Sequence, residues 1–361
     1  LVLVVLAATL GGVIAEAGAR WAELQPLADF EGDMGLLLPT EVRDRALAQY
    51  GHGSDLWHER ACRLLFDPSE QQSRFAAAAD GNATVLHLGD SMTWGLGVPE
   101  TVRFTSLLNA AAGPRHVNAA VPATGPDFHV AMAERLLPHH SVRLVVLHLF
   151  AGNDLEELDL PYACCGGGPL YSDGEGPARL RCPEANWSGG QRGRLAWLGA
   201  HSPAPLPLRM AAGWSAIAAA GQRGFLNLSS RLGGAANGGE KAWRRLDTLL
   251  AHLDEQLRPS ALPILLVVHP ARSDLLAPAS QRAKRRVFGD RLLQRAQTLG
   301  WAAFDLQPTL EAMLQQGPVA QWFLNQGPDD PHYTEAAHGR VAAALRAPIH
   351  LALAASATAR P

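Results

Sequence analysis

Five short apolar runs punctuate the chain, at 83–88, 115–118, 142–149, 262–268 and 301–305, and each reads as a β-strand. Stretches such as Leu144-Val-Val-Leu147 and Ile264-Leu-Leu-Val-Val268 are almost unbroken in branched aliphatic residues, the pattern of strands buried on both faces of a parallel sheet. Helical periodicity fills 126–137, 241–257, 279–298 and 333–346 between and after them. Alternating strands and helices joined by right-handed crossovers predict an α/β fold, a three-layer α/β/α sandwich with about five parallel strands.

The remaining segments set the domain plan. Residues 25–80 read as a mainly helical lead-in, 81–350 as the principal domain and 351–361 as a tail. Residues 155–240, rich in Gly, Pro, Ser and Trp, are too long for a simple connection and are expected to form a lid or substrate-binding insertion. Its Trp187, Trp197 and Trp214 fit either a specificity role or a local core. The first fifteen residues, from Leu1 to Ala15, are uncharged and apolar. They are shorter than the roughly 20 residues that span a bilayer, and 1–20 reads as a membrane anchor or a signal peptide. Ala15-Glu16-Ala17 resembles a cleavage site and favours release, yet the anchor is the reading we prefer. Both expect an exported principal domain, held at the membrane by the N-terminal helix if that helix is uncleaved.

Composition narrows the partners. A chain of 361 residues, 47% hydrophobic, can bury a large core, and its net charge of −3 gives no electrostatic footprint for nucleic acid. The densest basic run, Arg282-Ala-Lys-Arg-Arg286, falls in a helical pattern and reads as a solvated face. The four cysteines, Cys62, Cys164, Cys165 and Cys182, suit two disulfides, one of the adjacent pair tied to Cys62 and the other to Cys182. A zinc site is the rival reading, but the spacing does not favour it.

Candidate chemistry gathers where apolar runs end. The first strand runs into Gly89-Asp90-Ser91, which would hold a serine hydroxyl at a strand's carboxyl end, where open α/β sheets bind their ligands. The third ends in Gly152-Asn153-Asp154, and Asp329-Asp330-Pro331-His332 places a carboxylate three residues before an imidazole. A weak hydroxyl nucleophile needs a base, a group to orient the base and donors for the oxyanion, and these segments supply every type. Asp90 and Asp154 read as loop organisers that accept local backbone N–H bonds. His87 and His148, inside strands, read as satisfied core imidazoles, and His139-His140 as exposed. A Gly-x-Ser-x-Gly elbow is absent, which argues against the α/β-hydrolase arrangement.

This order of Gly-Asp-Ser, Asn and Asp-x-x-His resembles the SGNH/GDSL family of serine esterases and acyl hydrolases, over roughly residues 80 to 348 and interrupted by the insertion. The resemblance implies a flavodoxin-like sandwich with Ser91 as nucleophile, His332 as base and Asp329 as its orienting partner; Asp330 fits the spacing less well. Ser91 and Ala123 would offer backbone N–H groups, and Asn153 its side-chain amide, to an oxyanion. No cofactor and no metal is implied. The loop after the second strand departs from the family, with Ala123 where a glycine is expected and Gly125 two residues later. Alanine can still donate there if its φ is negative. The family's final Gly-His pair is altered to Ala337-His338, a position expected to serve helix packing. The implied activity is hydrolysis of a carboxylic ester on a small molecule, lipid or carbohydrate. The alternatives are transfer of an acyl group to a polysaccharide hydroxyl and, less favoured, binding without catalysis.

Overall fold

The apolar runs pair into one parallel sheet. In the computed structural model the described residues are 84–110, 113–158, 239–278, 286–324 and 331–358, with short pieces at 61–62, 64–66, 162, 170–171 and 280–281. The order along the chain is β1 (Thr84–Leu88), α1 (Ser91–Trp94), α2 (Phe104–Asn109), β2 (Arg115–Asn118), α3 (Pro126–Leu136) and β3 (Val142–Phe150). After the insertion come α4 (Glu240–Leu257), β4 (Ile264–His269), α5 (Arg272–Leu275), α6 (Val287–Leu299), β5 (Ala302–Asp305), α7 (Gln307–Gln316), α8 (Val319–Trp322) and α9 (Glu335–Thr358). The strand order is β2-β1-β3-β4-β5, every pair parallel.

Alternation along each strand sends side chains to two separate cores. Leu86, Leu88, Val145, Leu147, Ile264 and Leu266 face α3, α4 and α6, whose Phe128, Leu246, Leu253 and Leu292 are buried against them. In α4 the apolar positions Trp243, Leu246, Leu250, Leu253 and Leu257 recur at helical spacing and form that buried face. Val85, Leu144, Val146, Leu265 and Val267 face the opposite way, toward Phe104 of α2, Leu310 of α7 and Val341 and Leu345 of α9. Both faces are thus covered, as the continuous aliphatic runs predict.

The elements depart from the sequence reading mainly at helix ends. The helix expected over 279–298 is regular only from Val287 among the described residues, and the last helix, expected to stop near 346, runs to Thr358 and takes in most of the expected tail. Pro348 lies inside α9 without ending it. Cys62 is fully buried in the α3–α4 core and disulfide-bonded; Cys164, Cys165 and Cys182 lie outside the described residues. So do the N-terminal segment, most of the helical lead-in, and Trp187, Trp197 and Trp214 of the insertion. Among the described residues no helix is long and apolar enough to cross a membrane.

The second face also carries an unexpected polar seam. His87 of β1, His116 of β2, His148 of β3 and His269 of β4 are all buried. Burial lowers the pKa of each, to about 4 for His116 and about 3 for His269, and well below the usual value for His87 and His148. Buried His129 and His338 are likewise lowered to about 3. Such groups are neutral in the fold and titrate near 6.5 when unfolded. Their contribution to stability is therefore present above pH 6.5 and lost as pH falls toward the folded values, by up to about 1.4 kcal/mol per pH unit for each imidazole. Buried Asp154 and Glu157 are held protonated at neutral pH and Asp90 is lifted to about 6; these shifts act in the opposite sense, but the imidazoles outnumber them. Urea unfolding followed at pH 7, 6 and 5 is expected to show the midpoint dropping steeply below pH 6.5; a midpoint unchanged down to pH 5 contradicts this account.

Candidate active site

The rim at the carboxyl ends of β1 and β3 is built by close backbone approach. A Cβ at Gly89 would collide with the side chain of Thr93, so only glycine lets the strand turn this tightly into α1. Asp90 is the N-cap of α1, and its Oδ1 accepts the Met92 N–H at 2.9 Å. Ser91 follows at the helix start, and Gly95 ends that turn in the left-handed region at φ 80°. The loop after β2 is tied to the same place, with the Val121 N–H donating to the Gly89 carbonyl at 3.1 Å. Asn118 secures it further, its amide donating to the Thr93 carbonyl at 2.8 Å.

His332 arrives from the far end of the chain. Its Nε2 lies 3.0 Å from Ser91 Oγ, across 241 residues of sequence. The segment that carries it is pinned by an antiparallel bridge between Phe323 and Tyr333 and by the Leu324 N–H donating to the His332 carbonyl at 2.8 Å. Asp329 and Asp330 lie outside the described residues. Asn153 stands in the turn that leaves β3, where its carbonyl accepts the N–H groups of Glu156 and Glu157, each at 2.8 Å.

Ala123 differs from expectation. Its φ is +57°, not negative, so the backbone keeps the left-handed conformation natural to glycine while the side chain is alanine. That conformation costs an L-residue roughly 1–2 kcal/mol. Among the described residues the Ser91 and Ala123 N–H groups donate to no protein acceptor.

Carboxyls crowd this rim. Asp154 accepts the Phe150 N–H at 2.7 Å and, like Asp90, organises its turn, as the sequence suggests. Burial lifts Asp90 to about 6, partly opposed by the Met92 N–H and by His332. Burial and the neighbouring Asp90 hold Asp154 well above the carboxylate range. Glu157, unremarked in the sequence, is lifted to about 8 by burial and Asp90, opposed by its hydrogen bond with Asn153. Its carboxyl is enclosed, although the residue as a whole is only partly buried. Glu157 and Asn153 are four residues apart in a turn closed by the Glu157 N–H donating to the Asn153 carbonyl, a spacing that brings two side chains together and the signal by which sequence could have found the pair. Beside Asn153 a cavity of about 370 Å³ is lined by Phe150, Arg272, Ser273, Leu276 and Pro331, among others. At the base of the site His338 packs inside α9, fully buried, with its Nδ1 accepting the Phe104 N–H at 3.2 Å.

No family model matches the chain, and no curated protein matches it in sequence. Among solved structures it is similar to an alpha/beta hydrolase enzyme from the metagenome of Lake Arreo, Spain, with 14% identity, a TM-score of 0.42, and 74% of this chain and 95% of that one covered. An acetylxylan esterase from Geobacillus stearothermophilus is similar at 12% identity and a TM-score of 0.42, covering 74% and 94% of the two chains. A member of the lipolytic protein G-D-S-L family from Veillonella parvula is similar at 12% identity and 0.40, covering 72% and 94%.

Two variants test the local physics. Glu157 has a raised pKa, so the stability it contributes is present below its unfolded value near 4.5 and lost as pH rises through about 8. Glu157→Gln is expected to lose less stability than wild type between pH 7 and 9 in urea melts; parallel losses would contradict burial of the acid. Ala123→Gly relieves the left-handed strain but loosens the unfolded chain, and is expected to gain up to about 1 kcal/mol in the same melts. A loss of that size would show that the alanine methyl is favourably packed.

Proposed function

We propose that the chain is a serine esterase that hydrolyses a carboxylic ester through an acyl-enzyme. The observation that carries this reading is the 3.0 Å approach of His332 Nε2 to Ser91 Oγ at the carboxyl edge of a parallel sheet. A hydroxyl is activated when a neighbouring imidazole can take its proton as it attacks. Ser91 Oγ adds to the ester carbonyl carbon and its proton passes to His332 Nε2. The tetrahedral oxyanion is received by the Ser91 and Ala123 N–H groups and the Asn153 amide. Collapse expels the alcohol, which leaves with the proton from His332, and the acyl group stays on Ser91. Water then repeats the sequence and frees the acid. Asp329 has the spacing to orient His332 and stabilise the imidazolium.

Support comes from how little else these groups do. The two backbone donors have no protein acceptor among the described residues, and protonation of Asp154 and Glu157 keeps negative charge away from where an oxyanion forms. The cavity beside Asn153 gives one substituent of a small ester or an acylated sugar a place to lie. Export belongs to the same proposal, through the N-terminal apolar segment as anchor or signal, and a disulfide at Cys62 accords with an oxidising compartment.

Hydrolysis of short-chain aryl esters is expected for the wild type. Ser91→Ala and His332→Ala should each lower kcat by at least about 10³-fold, and Asn153→Ala by about 10²-fold. Wild-type rates in both Ser91→Ala and His332→Ala would remove the proposed nucleophile and base. Adding oligosaccharide acceptors and weighing the products distinguishes hydrolysis from transfer: acylated acceptor forming faster than free acid would replace the esterase by a transferase.

A further inference from the structure

The imidazoles of the seam form one continuous line. His87 Nε2 is 2.8 Å from His116 Nδ1, and His87 Nδ1 is 2.9 Å from His148 Nε2. His148 Nδ1 is 2.9 Å from His269 Nε2, and His269 Nδ1 is 3.2 Å from the Tyr333 hydroxyl. Sheet register explains the alignment. His116 pairs with Val85, His87 with Val146, and His148 with Val267. Each histidine therefore stands two residues nearer the carboxyl edge than its neighbour, and a step of two keeps the face. The line climbs diagonally across four strands and ends on the residue that follows His332.

A neutral imidazole has one N–H and one bare nitrogen. If any ring in this line is the Nε2–H tautomer, its Nδ1 must accept, so the next ring must offer Nε2–H, and so on to Tyr333. If any is Nδ1–H, the whole line reverses. A mixed line sets two hydrogens or two lone pairs against each other in a buried site, which leaves polar atoms there without a partner. Only two arrangements satisfy every link, and Tyr333 separates them. Its hydroxyl has His269 as its hydrogen-bond partner among the described residues. In the all-Nε2–H arrangement that proton is donated to His269 Nδ1 and nothing buried is wasted. In the reverse arrangement His269 donates and the phenol proton has no acceptor among the described residues.

We infer that His116, His87, His148 and His269 form a single directional hydrogen-bond chain in the all-Nε2–H tautomer, terminated by the Tyr333 hydroxyl, and that it positions His332 over Ser91. His87 lies four residues before Ser91 and Tyr333 one after His332, so the chain ties the strand that carries the hydroxyl to the segment that carries the imidazole. Tyr333 and the four histidines are positioning residues. The inference concerning His332 rests on the esterase reading; the tautomer assignment does not.

Long-range proton–nitrogen NMR correlation on uniformly ¹⁵N-labelled wild-type protein at pH 7.5 reads each ring's tautomer. Four buried imidazoles with protonated Nε2 and bare Nδ1 are expected, and any mixture of tautomers or any charged ring among the four overturns the chain. Tyr333→Phe removes the terminal donor while keeping the ring. It should introduce the Nδ1–H tautomer into all four signals together and lower kcat on an aryl ester about tenfold, with KM within twofold. Unchanged tautomers with unchanged kcat in a folded Tyr333→Phe variant would end the positioning role. If Ser91→Ala retains full activity, the esterase reading fails whatever the rings report, so the two failures are separable.

Discussion

The approach of His332 to Ser91 is the contact on which the arrangement turns, because it joins the first strand of the sheet to a loop beyond the last. Nothing local holds those residues together. Ser91 is fixed by the tight exit of β1 under Gly89 and by the Asp90 cap, and His332 by the short antiparallel pairing of Phe323 with Tyr333. Between them stands a sheet whose strands all run the same way, so that the carboxyl ends of β1, β3 and β4 open on one side. A one-residue slip in any pairing would turn apolar side chains from one core to the other, and the two separate cores resist it.

Desolvation shapes the chemistry on both sides of this contact, with opposite results. Imidazoles beneath the rim lose their protons and carboxyls beside it keep theirs, since burial disfavours charge of either sign. The surroundings of Ser91 are thereby polar and low in charge, with Asp90, lifted only to about 6, the carboxylate that stays ionised beside it at neutral pH. Fixed dipoles in such a place act more strongly than they would in water. The same burial sets the limits of stability, because every group kept neutral in the fold is free to ionise once the chain unfolds.

Much of this was legible in the sequence, and the reasons for the rest are specific. Aliphatic runs at Leu144–Leu147 and Ile264–Val268, short and rich in branched side chains, fit strands covered on both faces, so the sheet and its layers follow from composition and spacing. Gly89-Asp90-Ser91, Asn153 and His332 announce themselves by ending such runs or by motif. The left-handed φ of Ala123 was not legible, because alanine gives no sign of a conformation that glycine would advertise. Nor was the neutral state of Glu157, which depends on burial and on carboxyls brought close only by folding. The histidines mark the boundary most sharply. His87 and His148 were each readable as a core imidazole in need of a partner, yet the partners are one another, His116 and His269, and that depends on strand order and register.

Four imidazoles in a sheet interior are an expensive way to fill space, since a branched aliphatic side chain would need no hydrogen bond at all. Such an arrangement depends on the pairing of the nitrogens inside the line, because a single unpaired buried polar atom costs more than a paired one contributes. Completeness therefore binds the positions together. Replacing His148 alone with leucine strands a nitrogen on His87 and another on His269, so its cost should exceed that of an ordinary core substitution even where the volume is matched. Replacing all four at once removes every unmet demand except that of the Tyr333 hydroxyl, and that hydroxyl lies at the seat of His332. The buried seam and the rim are thus parts of one network, anchored at the end where the reaction would take place.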